Sequence, residues 1–191
     1  MQRFGVKEKD RFAKRQKTAS LKDERPVGIG RILFVLCLLS IVHCLSSCKD
    51  TTFRSSVPTY PVRFSIDTRV GPFVHFANAS QNEYVTLTND GYRYNGEWVA
   101  ARGALDAYGY GGVVVFYGMT GYNAFDLACP HCAARGSCQT CTIDGIFAVC
   151  PECGEQYDLG SGTAAPQKGI SKEFLRRYNL ILSDGKITVT Q

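Results

Sequence analysis

Residues 32–191 lack an excess of positive charge. The 191 residues carry a net charge of +5, but ten Lys and Arg against four Asp and Glu fall within residues 1–31, which alone carry +6. The remainder is therefore close to neutral, at −1. Because a nucleic-acid-binding surface needs basic side chains to neutralise phosphates, we exclude nucleic acid as a partner.

The apolar run behind the basic segment is too short to cross a bilayer. It comprises Ile32–Leu45, fourteen residues, whereas a membrane-spanning helix needs about 20. This length is typical of a signal-peptide core, although a short uncleaved anchor stays an alternative. Leu45-Ser-Ser-Cys48 follows and resembles a bacterial lipobox. We therefore predict an exported envelope lipoprotein, held on the membrane outside the cytoplasm by acyl chains on Cys48.

The sequence after Cys48 divides into a tether and one domain. Residues 49–61 are polar, rich in Ser and Thr and interrupted by Pro58 and Pro61, which is typical of a tether. The length left suits a single core. The predicted boundaries are a basic extension over 1–31, a signal run and lipobox over 32–48, the tether over 49–61 and the domain over 62–191.

Short strands with Gly and Asp-Gly turns fill the predicted domain. Only residues 171–178 have a helical pattern, and Gly111-Gly112 precedes a strand rather than a helix, so a phosphate-binding loop is excluded. We therefore predict an all-β fold. The predicted strands and hairpins are 62–67, 83–94 with a turn at Asp90-Gly91, 112–128 with a turn at 118–121, 146–149, and 179–190 with a turn at Asp184-Gly185.

Six of the nine cysteines form three C-x-x-C pairs between residues 129 and 153. The outer two pairs are separated by seventeen residues, a spacing typical of tetrahedral metal sites. Each has Pro after its first Cys, and Gly154 follows the last, which suits loops that curl around an ion. We expect one Zn or Fe ion bound by four thiolates: Cys129, Cys132, Cys150 and Cys153.

The two outer cysteine loops resemble those of the Rieske [2Fe-2S] family. The resemblance covers residues 113–190 and rests on Cys129-Pro-His131 and on Cys150-Pro-Glu-Cys-Gly-Glu-Gln-Tyr-Asp158, followed by Gly162, Gly169, Leu175 and Tyr178. It implies an all-β stack of small antiparallel sheets carrying two Cys-rich metal loops. Together with the lipobox, the chain resembles Rieske-like lipoproteins of Bacteroidetes type.

The sequence departs from the Rieske pattern where that family has the second-loop histidine. Cys153 stands there, and Ala134 and Glu152 replace the cysteines that often bridge the two loops. A two-Cys, two-His centre is thereby excluded. The resemblance leaves a second cofactor open, a [2Fe-2S] cluster in which His131 replaces Cys132 as ligand. Its potential would lie between those of Rieske centres, about −150 to +300 mV, and plant-type ferredoxins, about −400 mV.

These features predict a protein that is not an enzyme. Its metal centre would pass electrons to a redox protein partner or tie two loops together, since a closed tetrathiolate offers no open coordination position. Two alternatives stay open. In one, disulfides join the cysteines of a surface-binding lipoprotein. In the other, Cys138-Gln-Thr-Cys141 exchanges thiols and disulfides, but this pair lacks the helix start that such chemistry needs.

Overall fold

A computed structural model describes residues 54–191. The basic extension, the signal run, the lipobox with Cys48 and the first part of the predicted tether, residues 49–53, lie outside the described residues. Within residues 54–191, no helix is long and apolar enough to cross a membrane.

Over residues 54–191, thirteen short strands make up two antiparallel sheets, which confirms the predicted all-β class. The larger sheet has the order β4-β3-β2-β6-β7-β12-β13-β1-β5, and the smaller has the order β11-β10-β9-β8. The strands are β1 (Val62–Asp67), β2 (Tyr84–Thr88), β3 (Gly91–Tyr94), β4 (Glu97–Ala100), β5 (Ala107–Tyr108), β6 (Val113–Gly118), β7 (Gly121–Asp126), β8 (Thr142–Asp144), β9 (Phe147–Val149), β10 (Gln156–Asp158), β11 (Ala165–Lys168), β12 (Arg177–Ser183) and β13 (Lys186–Thr190).

The three predicted hairpins are present. β6 pairs with β7, and β12 pairs with β13 across Asp184-Gly185, as predicted. β2 pairs with β3 across Asn89-Asp90, one residue before the predicted Asp90-Gly91 turn, because Gly91 pairs with Thr88. Each has apolar residues on at least one face and a turn that the chain can close locally, which explains why the sequence pattern identified them.

The β6–β7 hairpin separates two cores, because successive side chains of a strand point to opposite faces. Val113, Val115 and Ala124 face one cluster, whereas Val114 and Phe125 face the other. We call the first the aromatic core, which includes Phe64, Phe73, Phe76, Tyr92 and Tyr178. We call the second the cysteine core, which includes Cys129, Cys132, Cys141, Cys150, Phe116 and Tyr157.

The helical pattern at residues 171–178 was misleading, because this segment contains no helix. Its backbone groups bond to distant parts of the chain: Ser171 N–H donates to Glu155, and Leu175 N–H donates to the Ala164 carbonyl. The two helical segments of the described chain are a 3-10 helix over Gly71–Asn78 and α1 over Pro130–Ala134. Long-range pairing therefore overrides the local pattern.

The described end of the predicted tether packs against the domain. Val57 is buried, and the Arg176 guanidinium donates to its carbonyl oxygen. The Ser56 hydroxyl and backbone N–H both donate to the Glu173 carboxylate, at 2.8 and 2.7 Å. Residues just upstream of β1 are thus fixed on the domain.

Candidate metal centre

The first cysteine loop, Cys129–Cys132, is a knuckle that begins directly beyond β7. Pro130 opens α1, where its fixed φ suits the first helical turn. The Ala133 N–H donates to the Cys129 carbonyl at 2.9 Å, which closes that turn. The Cys129 N–H donates to the Gln139 carbonyl. The loop is therefore shaped by its own backbone.

The second cysteine loop, Cys150–Cys153, is a knuckle at the end of β9. The Gly154 N–H donates to the Cys150 carbonyl at 3.0 Å, and the Cys150 N–H donates to the Glu155 carbonyl at 2.9 Å. Gly154 has a φ of 72°, a left-handed conformation that glycine adopts without steric cost. β9 and β10 pair on either side of this loop and hold its two ends together.

The four outer cysteines converge on one point. Their sulfur atoms all lie within 4.8 Å of one another. The Cys129 and Cys153 sulfurs are 3.6 Å apart, and those of Cys132 and Cys150 are 3.7 Å apart. A tetrahedral ion with metal–sulfur bonds of about 2.3 Å has sulfur–sulfur edges of about 3.8 Å. The spacing therefore fits a single tetrahedral ion bound by four thiolates.

Burial and hydrogen bonding differ among these sulfurs. Neighbouring hydrogen-bond donors lower the pKa of Cys129. The Cys141 thiol has the largest effect, and the Tyr157 hydroxyl adds to it. Burial raises the pKa of Cys132 and Cys153. Since a metal binds the thiolate form, its binding must release protons from the latter two thiols.

His131 lies beside the sulfurs but faces a carboxylate. Its Nδ1 is 3.4 Å from Oε1 of Glu155, and it is not part of the converging group. Glu155 is fully buried, and its Oε1 accepts backbone N–H bonds from Ile170 at 2.6 Å and Ser171 at 3.0 Å. Gly169 makes this approach feasible, because a Cβ there would lie 2.2 Å from the carboxylate. The Glu155 carboxylate thus links the second knuckle to residues 169–171.

The middle C-x-x-C pair is split between surface and interior. Cys138 is exposed, and its thiol donates to the Tyr110 carbonyl at 3.6 Å. Cys141 is 3% exposed and belongs to the cysteine core. All six cysteines of the described chain are free thiols. The geometry therefore gives no support to a disulfide framework or to a Cys138–Cys141 exchange site.

A buried carboxylate fixes the strand that delivers the first knuckle. Asp126, at the end of β7, is 0% exposed. Its Oδ1 accepts from the backbone N–H groups of Gly111 and Ala128, and its Oδ2 accepts from Tyr110 N–H and the Tyr178 hydroxyl. Four donors satisfy the charge, as a buried carboxylate requires.

Sequence reasoning missed three residues of this environment. Asp126 gave no local signal, because most of its partners lie 15 or more residues away. Glu155 fell, like Tyr157, within the motif that resembles the Rieske second loop, but its bonds to Ile170 and Ser171 were not foreseen. Cys141 was recognised only as half of a C-x-x-C pair.

No protein-family model matches the chain, and no curated protein matches it. Among solved structures it is similar to a Sphingomonas yanoikuyae B1 ferredoxin, with 19% identity, a TM-score of 0.34, and coverage of 49% of this chain and 83% of that one. It is also similar to the ferredoxin of carbazole 1,9a-dioxygenase from Nocardioides aromaticivorans IC177, with 14% identity, a TM-score of 0.35, and coverage of 68% and 95%. A quaternary ammonium Rieske monooxygenase matches with 14% identity, a TM-score of 0.39, and coverage of 68% and 30%.

The sheets and the converging thiols define the class of protein. The described chain is an all-β domain with a four-cysteine candidate metal centre.

Proposed function

We propose that this domain binds one metal ion, Zn or Fe, through Cys129, Cys132, Cys150 and Cys153. The observation that carries the proposal is the convergence of these four sulfurs within 4.8 Å, with two separations close to a tetrahedral edge. The ion would join two loops that are otherwise separate, so that metal binding becomes part of the folding free energy.

The sulfur spacing favours a single ion over a [2Fe-2S] cluster. In such a cluster, two pairs of ligands belong to two separate irons, so sulfurs on different irons must lie further apart than one tetrahedral edge. Here all four sulfurs lie within 4.8 Å of one another, so they are not divided into two separated pairs. His131 faces Glu155, which suits a role beside the ion and not on it.

A closed tetrathiolate suits electron transfer or structural binding and not hydrolysis, because it has no open position for water. With iron, the centre would accept and release one electron. A surface cavity of about 480 Å³ lies on the exposed side of the two knuckles and is lined by His131, Cys132, Arg135, Ser137, Glu152 and Cys153. Cys153 is partly exposed, so a redox protein partner docked on this side would lie close to its sulfur. We propose a non-catalytic electron carrier when the ion is iron.

Metal analysis and the visible absorption spectrum of the purified full chain test this proposal. Cys132→Ser should abolish stoichiometric binding of Zn or Fe, whereas His131→Ala should keep one ion per chain. The reverse pattern, with two irons and sulfide in the wild type, would establish the [2Fe-2S] alternative. Absence of metal together with fewer than six reactive thiols at residues 129–153 would establish disulfides instead.

We further propose that the domain is anchored to the cell envelope through lipid on Cys48. The support is the sequence alone: a fourteen-residue apolar run followed by Leu-Ser-Ser-Cys48. Metabolic labelling with a fatty acid tests it, and Cys48→Ala should abolish the label. Cys44→Ala is the matched control, because Cys44 lies four residues away without the lipobox context. Undiminished label in Cys48→Ala would contradict the anchor.

A further inference from the structure

We propose that Cys141 is a positioning residue for the metal centre, with its thiol donating a hydrogen bond to the sulfur of Cys129. This inference rests on the proposed four-cysteine site and assigns a role to the half of the middle C-x-x-C pair that faces inward. Cys141 would act on the ion through Cys129 and would not bind the ion itself.

The backbone places Cys141 beside Cys129. Ala128 and Thr140 form an antiparallel bridge. On either side of it, the Cys129 N–H donates to the Gln139 carbonyl at 2.9 Å, and the Cys141 N–H donates to the Leu127 carbonyl at 2.7 Å. In this register Cys129 and Cys141 are diagonal neighbours on the same face, which places their Cβ atoms roughly 7 Å apart.

The Cys141 thiol is buried in the same core as the sulfur of Cys129. Cys141 is 3% exposed and Cys129 is 0% exposed, and both belong to the cysteine core. The nearby Cys141 thiol lowers the pKa of Cys129, as a donor to that sulfur would. Cys141 is not one of the four residues whose sulfurs all lie within 4.8 Å of each other. Cys141 therefore lies beside one ligand and outside the tetrahedron.

A donor on a metal-bound sulfur has a defined chemical effect. It withdraws electron density from the thiolate and so stabilises the reduced state, which carries one more negative charge than the oxidised state. The Tyr157 hydroxyl, 3.5 Å from the same sulfur, acts in the same direction. Cys129 would thus accept from two side chains, and the removal of one should lower the reduction potential.

The reduction potential of the iron-loaded full chain tests the role of Cys141. Cys141→Ala should keep one iron per chain but shift the ratio of reduced to oxidised protein about tenfold toward the oxidised form, equivalent to about 59 mV for one electron. Cys141→Ser retains a donor and should stay close to wild type. Cys138→Ala removes the exposed cysteine of the same pair and should change nothing.

A second readout covers the case in which Cys141→Ala does not fold. In the Co(II)-substituted full chain, Cys141→Ser should retain the wild-type number of cobalt–thiolate bonds, measured by the intensity of sulfur-to-cobalt charge-transfer absorption. Equal potentials in wild type and Cys141→Ala would overturn the inference, as would loss of one thiolate bond in Cys141→Ser. A wild-type chain that binds neither iron nor cobalt would overturn the proposed function itself.

Discussion

The aromatic core and the cysteine core lie on opposite faces of the same β6–β7 hairpin, yet they are built differently. The aromatic core is enclosed by strands of four to seven residues from the larger sheet and by the 3-10 helix. Its rings meet edge to face, as with Phe76 against Tyr122 at 5.1 Å and Phe73 against Tyr92 at 5.5 Å. The cysteine core is enclosed partly by β8–β11, strands of three or four residues, and by loops.

This difference indicates two sources of stability in one domain. Large aromatic side chains stabilise the first core by burying apolar surface. The second core also buries the rings of Phe116, Phe125 and Tyr157, but its cysteines lie largely on loops, so an ion that joins these loops would add a further contribution to its stability. The following four predictions test that division, from the largest expected effect to the smallest.

Removal of a ligand should affect the cysteine core most. Structural zinc contributes on the order of 10 kcal/mol of apparent binding free energy in small zinc peptides. Cys150→Ala should therefore lower metal content and melting temperature together, measured by metal analysis and calorimetry of the full chain. Loss of metal with an unchanged melting temperature would show that the ion does not stabilise the fold.

Truncation in the aromatic core should destabilise the domain without affecting the metal. Phe76 is fully buried and contacts the rings of Tyr94 and Tyr122. Phe76→Ala should cost about 3–5 kcal/mol of unfolding free energy, measured by urea titration. Metal content should remain that of the wild type, and a parallel loss of metal from the folded variant would show that the two cores are not separable.

Asp126 connects the two cores, because it accepts from Tyr178 of one and from Ala128 next to the first knuckle. In Asp126→Asn, an amide NH₂ would face backbone or hydroxyl donors. Buried donors would then lack an acceptor, which lowers the free energy of unfolding by about 1–3 kcal/mol. We expect lower stability and faster metal release to a chelator. Asp144→Asn, at an exposed carboxylate, is the matched control and should change neither rate nor stability.

The two cores should also respond to pH in opposite directions. Burial, helped by its hydrogen bond to Asp106, raises the pKa of Tyr92. The folded state therefore favours the neutral form of Tyr92. This preference stabilises the fold fully below about pH 10, where an unfolded tyrosine ionises. The stabilisation is lost as pH rises toward the pKa of Tyr92 in the folded state. The fall in unfolding free energy above pH 10 should be smaller in Tyr92→Phe.

Acid should act on the cysteine core instead, because protons compete with the ion for the four thiolates. Metal should be released from the wild type as pH falls. Tyr92→Phe should leave that release unchanged, and Tyr60→Phe, at a half-exposed ring, should alter neither the acid nor the alkaline response. A shift of the acid midpoint for metal release in Tyr92→Phe would contradict two separate cores.

The sequence by itself determined eight of the thirteen described strands, the three hairpins and the four outer cysteines, whereas β4, β5, β8, β10 and β11 were not predicted. These features are local: alternation of apolar side chains, Asp-Gly turns and C-x-x-C spacing act over a few residues, and β1 was predicted with the bounds that the structure has. The all-β class and the convergence of the two outer pairs follow from them. The distribution of positive charge was likewise readable from the sequence.

Only the tertiary structure decided where each remaining polar side chain points. Strand register turned Cys141 toward Cys129 and left Cys138 at the surface, although both belong to one motif. Backbone donors at residues 170 and 171 bond to Glu155, and those of Phe174 and Leu175 bond to the carbonyls of Arg54 and Ala164, so no helix forms there. One physical reason explains both the orientation of the two cysteines and the absence of the helix. Their partners are distant in sequence and meet only after the sheets have paired, so no local pattern can encode the contact.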